Sequence, residues 1–155
     1  MSSQSHFKAI STNKRGYYDY SFVDKFEVGI VLNGHEVKSL RQNSVTLRDA
    51  YARIFNEELW LIGCHISPYK QGGQFSIDEP TRRRKLLIHK RQLKKLIGKT
   101  QEKGLTLIPL KLYFKNHLVK LELGLGKSKK EYDKRRVIKD RELKRELDRA
   151  TKLQG

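Results

Sequence analysis

The stretch from Leu105 to Leu125 leaves this chain the fewest folding options. Leu110, Leu112 and Phe114 alternate with Lys111 and Tyr113. After a break at Asn116-His117 the pattern resumes, with Val119, Leu121, Leu123 and Leu125 alternating with Lys120, Glu122 and Gly124. Apolar residues at period two line one face of a strand, and a short break carrying an asparagine fits a tight hairpin turn. A lone hairpin is marginal in water, so this one needs more strands or a helix against its apolar face. Pro109 suits an edge or a bulge, because proline donates no ladder hydrogen bond.

The preceding chain supplies those partners. Tyr18 to Val23 is rich in aromatics, and Phe26 to Leu32 places Val28, Ile30 and Leu32 on one face, so both read as strands. Leu47 to Phe55 and Leu59 to Ile66 flank Asn56-Glu57-Glu58 and read as a second hairpin, with Trp60 expected in the core. His35 to Arg41 is a short helix candidate whose Val37 and Leu40 turn inward, joined by the later Val45, while Lys38 and Arg41 face out. Leu86 to Thr100 reads as an amphipathic helix through Leu86, Leu87, Leu93, Leu96 and Ile97, ending near Gly98 or Gly104. Pro68 to Pro80 has no periodicity and reads as a surface loop. Several short strands with two helices predict a mainly β fold: an OB-like antiparallel barrel with helices packed outside.

Charge then narrows the function. The 155 residues carry 34 Lys and Arg against 17 Asp and Glu, a formal net charge of +17. Like charges repel, so this excess does not serve the fold; it points to a polyanionic partner, nucleic acid before a membrane surface. No apolar run approaches the ~18 residues of a membrane span. Met1 to Phe7 shows no apolar stretch of the signal-peptide kind, and the single Cys64 fits a reducing, cytoplasmic setting.

The cations fall into clusters. Residues 1–16 end in Asn13, Lys14 and Arg15 and read as a flexible basic arm, ahead of a body over 17–125. Arg82, Arg83, Arg84 and Lys85 stand before the expected helix, where they oppose its dipole and look placed for an external anion. Glu36, beside a glycine break, is either a helix cap or a carboxylate that accepts hydrogen bonds from RNA. From 126 to 155 the chain reads as a basic tail. Lys127, Lys129, Lys130, Lys134, Arg135 and Arg136 surround Tyr132 and Asp133: a phosphate-contacting arm with one ring for stacking, or a solvated linker. Further on, Arg141, Arg145 and Arg149 form a cationic ridge if helical. Leu143, Leu147 and Ala150 make only a narrow apolar stripe. The pairs Asp140–Lys144 and Asp148–Lys152 add about 0.3 to 0.5 kcal/mol each. Such a segment is expected to be disordered alone and helical when bound.

The residues hold no catalytic constellation. The five histidines are scattered, no metal-ligand spacing includes Cys64, and neighbours Cys64 and His65 would point to opposite faces of a strand. Gly124-Leu125-Gly126 lacks the context of a dinucleotide loop. The residues alone therefore read as a non-enzymatic module that binds structured RNA, with no metal and no cofactor. A general RNA chaperone or ribosomal protein and an RNA-processing nuclease are the competing classes.

Five stretches carry a family resemblance: Gly29 to Arg41, His65 to Tyr69, Arg84 to Lys90, Glu102 to Lys115, and Tyr132 to Arg135. In this order they resemble small protein B, the SsrA-binding protein family of bacterial trans-translation. The resemblance implies an OB-like barrel that binds the tRNA-like domain of transfer-messenger RNA (tmRNA) and helps rescue stalled ribosomes. It also implies a tail that enters the empty mRNA channel near the decoding centre of the small ribosomal subunit and becomes helical there. Through the RNA, elongation factor Tu and alanyl-tRNA synthetase become indirect partners. The resemblance puts RNA contact on Glu36 and its neighbours and matches the asparagine of the family's basic arm to Asn13. It places the family's Asp-Lys-Arg motif, in the ribosome-binding tail, on Asp133, Lys134 and Arg135, with the ring before it on Tyr132. His35 stands where the family usually has threonine, Asp78-Glu79-Pro80 where His-Asp-Pro is frequent, and Arg136 where an acid or serine is common.

Overall fold

The computed structural model describes residues 7–69, 79–102, 104–129, 139 and 141–149. The order is β1 (Phe7–Thr12), α1 (Lys14–Asp19), β2 (Tyr20–Ile30), α2 (Gly34–Arg41), β3 (Val45–Thr46), β4 (Tyr51–Phe55), β5 (Glu58–Ile62), β6 (His65–Ile66), β7 (Arg84–Leu87), α3 (Lys90–Thr100), β8 (Leu105–Lys115) and β9 (Leu118–Ser128). Residues 141–149 form a further helix, α4.

The main sheet runs β1-β8-β4-β5-β7-β2-β9, and β8 also pairs with β9, so six antiparallel strands close into a ring. β8 and β9 are the expected hairpin, paired from Leu105–Lys127 to Lys115–Leu118. Asn116 and His117 both have positive φ, as do Asn56 and Glu57 between β4 and β5. That is the backbone of the two-residue turn whose twist matches a right-handed hairpin. Register shifts at Phe22/Asp24 in β2 and Pro109/Lys111 in β8 mark bulges, which bend strands around a closed sheet.

Alternation sorts the faces. Leu121, Leu123 and Leu125 of β9, Leu107 and Leu112 of β8, and Leu59, Leu61 and Leu86 fill the interior. The β8 bulge breaks the simple period: Leu110 is fully buried but stands apart from that core, against Gly124 of β9. It belongs to a second apolar layer outside the barrel, under α1. There Ile108 approaches Gly16, and the Phe22 ring lies over Gly124 and Gly126. A β-carbon at Gly124 would stand 2.5 Å from that ring, so the glycines make room for an aromatic lid.

Several expectations need correction. Residues 7–16 are not a flexible arm: β1 pairs with β8 from Phe7–Lys115 to Thr12–Lys111, and α1 begins at Lys14. The helix expected from Leu86 begins at Lys90, because Arg84 to Leu87 pair as a strand with β5 and β2. Gly126 and Lys127 lie in β9, paired with Phe22 and Ser21, so the body extends past 125. Trp60 is half-buried between inward-facing Leu59 and Leu61 rather than in the core. Among the described residues, no helix is long and apolar enough to cross a membrane.

Candidate nucleic-acid interface

Three residues expected to touch RNA are instead built into the body. Asn13 is 6% exposed. Its Oδ1 accepts from the Gly16 amide at 3.0 Å, which caps α1, and its Nδ2 donates to the Pro109 carbonyl at 2.9 Å. The side chain thus ties α1 to the β8 bulge with both ends of its amide.

Glu36 and Arg84 form a buried ion pair. Glu36 Oε1 accepts from the Asn33 amide at 3.1 Å, and Asn33 Oδ1 accepts from the Glu36 amide at 2.9 Å, a reciprocal capping box at the start of α2. Glu36 Oε2 accepts from Arg84 Nε at 2.6 Å and Arg82 Nε at 3.1 Å, and Oε1 accepts a further short bond from Arg82. Arg84 is wholly buried; its remaining donors reach the carbonyls of Cys64 at 2.7 Å, Arg82 at 3.2 Å and Pro80 at 2.9 Å. Burial works against the charge on Glu36, but the Arg82 bond, the Asn33 amide and Arg84 together hold its carboxyl below the usual range. Both oxygens are occupied inside the protein, so Glu36 positions α2 and the segment 79–84 instead of offering a free carboxylate. Of the Arg82–Lys85 cluster only Arg83 is fully exposed, while half-buried Lys85 faces Glu58 at 3.5 Å. Buried Cys64 lies beneath this network, and burial pushes its thiol up to about 11, far from a nucleophilic thiolate at neutral pH.

The remaining body cations are at the surface. Lys14 and Arg15 are exposed, with Arg15 3.3 Å from Asp19. Lys38 is exposed with its ammonium 5.6 Å from the Tyr69 ring, and Arg41 is exposed at the end of α2. Lys127 is exposed on β9, whereas half-buried Lys129 donates from Nζ to the Tyr17 carbonyl at 3.4 Å. Arg141, Arg145 and Arg149 are exposed along α4, as are Leu143 and Leu147. Lys130, Tyr132, Asp133, Lys134, Arg135 and Arg136 lie outside the described residues, as do Asp140 and Lys152 of the two proposed helix pairs.

The topology also assembles a groove that the sequence reading missed. Directly paired residues on the outer face of the barrel run Leu87, Gly29, Lys120, Tyr113 and Ala9 across β7, β2, β9, β8 and β1. At the β7 end, Leu87 lies over Gly29 and stays 53% exposed. It joins Glu27, His89, Gln92 and Lys120 in lining a groove of about 390 Å³. Exposed Lys90, Arg91, Lys94 and Lys95 of α3 add positive charge on the element that follows His89. Glu27 does not cancel it: its carboxylate accepts a short bond from the Tyr113 hydroxyl and faces Lys115 Nζ at 3.3 Å. The Tyr113 bond is the main cause that holds the Glu27 carboxyl below its usual range. Period-two alternation with buried Val28 was the available signal for Glu27 and Gly29; Leu87 was hidden by the helical reading of its segment. Chemically this is a partly apolar, basic trough with a fixed carboxylate, suited to phosphate and to the edge of a base or a ribose hydroxyl.

The family model described as "SmpB protein" matches residues 10–153. The chain is 56% identical to the curated SsrA-binding protein of Carboxydothermus hydrogenoformans, over 92% of this chain and 95% of that one. It is 48% identical to the SsrA-binding protein of a Sulfurihydrogenibium species, over 94% of this chain and 95% of that one. A solved structure described as "tmRNA-SmpB: a journey to the center of the bacterial ribosome" superposes with a TM-score of 0.66 at 43% identity, covering 78% of this chain and 85% of that one. Matches of this extent, on a barrel of this topology, show that the chain belongs to the SmpB family of SsrA-binding proteins.

Proposed function

We propose that this protein is a non-catalytic RNA-binding factor of trans-translation. It binds tmRNA through the tRNA-like domain and delivers it to stalled ribosomes. The observation that carries this reading is the sorting of charge within an SmpB-family fold. The cations of α3 beside the outer groove and those of α4 are turned to solvent, while the conspicuous Glu36–Arg84 pair is spent inside. The relatives are named for an RNA that they bind and not for a reaction, in keeping with a factor that acts by binding alone.

The finer division of labour follows from shape. A rigid barrel with a groove and a firmly positioned α2 reads a folded RNA by its contours. A cationic segment with a narrow apolar stripe suits a phosphate-lined channel, and the empty mRNA channel beside the decoding centre is such a place. There Tyr132 stacks, for about 1 to 3 kcal/mol, and Lys134, Arg135, Arg141, Arg145 and Arg149 meet phosphates. Elongation factor Tu and alanyl-tRNA synthetase enter only through the RNA. The setting is the cytoplasm.

Truncation after Lys130 tests this. The shortened protein should bind the isolated tRNA-like domain within about tenfold of the full chain, or roughly 1.4 kcal/mol, and still prefer it to unrelated RNA of equal length. It should fail to support transfer of a stalled peptide to tmRNA on the ribosome. Equal loss of both activities in a folded protein would sink the division; equal affinity of the full chain for unrelated RNA would favour a general RNA chaperone.

A further inference from the structure

A second notch lies where β1 begins beside the β8–β9 turn. Phe7, Lys8, Arg41, Phe114, Asn116 and His117 line it, and its volume is about 310 Å³. Sequence patterning did not single it out, because it joins the first strand, the end of α2 and the main hairpin turn, which are far apart along the chain.

Phe7 is 59% exposed although it sits in a paired strand. Its ring is held at 5.4 Å from the Tyr113 ring and at 5.4 Å from the Lys115 ammonium. Single exposed apolar residues are ordinary on protein surfaces; this one is a ring positioned by Tyr113 and by Lys115, whose own charge is answered by Glu27 at 3.3 Å. Lys8 and Arg41 are both exposed, and among the described residues neither is in an ion pair. Among the described residues no carboxylate lines the notch; Glu27, which faces Lys115, belongs to the groove on the adjoining outer face. An aromatic platform with two cations matches a π-face carrying a negative charge next to it, which is a nucleotide and not an apolar peptide.

We infer that this notch takes one unstacked base of the RNA, stacked on Phe7, with a flanking phosphate held by Lys8 and Arg41. The inference rests on the RNA-binding reading above. It assigns the same RNA to groove and notch, because Glu27 lines the first and bonds Lys115, which touches Phe7 at the second. A single folded RNA laid on the outer face then meets both. The base comes from a loop of the tRNA-like RNA, since bases inside a helix offer no free π-face.

The test uses the full chain and the isolated tRNA-like domain of tmRNA, titrated over a range of salt. Phe7→Ala should weaken binding about tenfold and leave the salt slope unchanged, because stacking releases no counterions. Phe7→Tyr should keep the affinity, and Phe7→Leu should be as weak as the alanine variant. Arg41→Gln should flatten the slope by roughly 0.7 to 0.9. Circular dichroism on each variant confirms that the barrel is formed; Phe7→Leu and Phe7→Tyr keep the apolar bulk should alanine loosen β1. Affinity within twofold of wild type for folded Phe7→Ala, or full affinity for Phe7→Leu, overturns the notch. So does a Phe7→Ala defect seen with ribosomal subunits but not with the tRNA-like RNA. Failure of the underlying reading looks different: the unaltered protein would show no preference for that RNA.

Discussion

Arg84 and the arginines of α4 carry the same guanidinium in opposite surroundings. Arg84 is wholly buried, and its donors reach Glu36 and three backbone carbonyls. Arg141, Arg145 and Arg149 stand in solvent on a helix whose described residues are all exposed. Removing a charge from water costs several kcal/mol, so a buried arginine persists only when nearly every donor is answered. That requirement makes it specific: one position of α2 against residues 79–84 satisfies it. Exposed charges add little to folding, so their number has to be explained by what they meet outside. In a chain this basic, cations therefore divide into those that define the body and those that await a partner.

The contrast is most easily broken at Arg84. Arg84→Met keeps the bulk but leaves Glu36 short of its buried partner, and breaking such a pair should destabilise the fold by about 3 to 5 kcal/mol in denaturant unfolding. A loss under ~1 kcal/mol would mean that Arg82 alone suffices and that the pair is not what holds the segment.

Acid should expose the same network with a smaller effect. The folded Glu36 carboxyl titrates below its unfolded value of roughly 4.3. Its contribution is therefore complete above that value and is lost as pH falls through the lower, folded one. Glu36→Gln should unfold more readily at neutral pH and show a flatter stability profile below pH ~4.3. An identical acid slope in both proteins would remove Glu36 from the account.

The smallest effect on folding should come from the tail. Replacing Arg141, Arg145 and Arg149 together by glutamine should move the stability of the body by no more than about 0.5 kcal/mol. The same protein should lose activity in peptide transfer on the ribosome. A clear drop in the melting temperature would show that α4 supports the body and that the contrast is too sharp.

What the sequence revealed of this arrangement depended on distance along the chain. Both hairpin turns were readable because their strands alternate next to Asn116-His117 and close to Asn56-Glu57. The proline bulge in β8 was readable for the same local reason. Leu86 and Leu87 were misread because a short apolar run fits either period, and the choice of strand is made by β5 and β2. β1 was misread because its partner, β8, lies at the other end of the body. Four successive cations looked like surface because Glu36, which claims Arg82 and Arg84, is 48 residues from Arg84. The capping half of the Glu36 reading came from the glycine break and the helix dipole; the Asn33 partner and the burial appeared only in the fold. The groove needed five strands in register before Leu87 and Lys120 could be neighbours on one face.

The way the chain leaves the barrel sets a length scale. β9 continues to Ser128, and the Lys129 amide donates to the Asp19 carbonyl at 2.7 Å, which fixes the exit beside α1. Whatever path lies between, the ten peptide steps from Lys129 to Lys139 span at most roughly 36 Å. On the proposed function, a body already seated with its RNA confines Lys139, just ahead of α4, to a sphere of that radius. The second encounter then becomes intramolecular, at an effective concentration in the millimolar range typical of short tethers. A tail tethered this way needs little affinity of its own: it can be weak enough to release and still be engaged whenever an empty channel lies within reach.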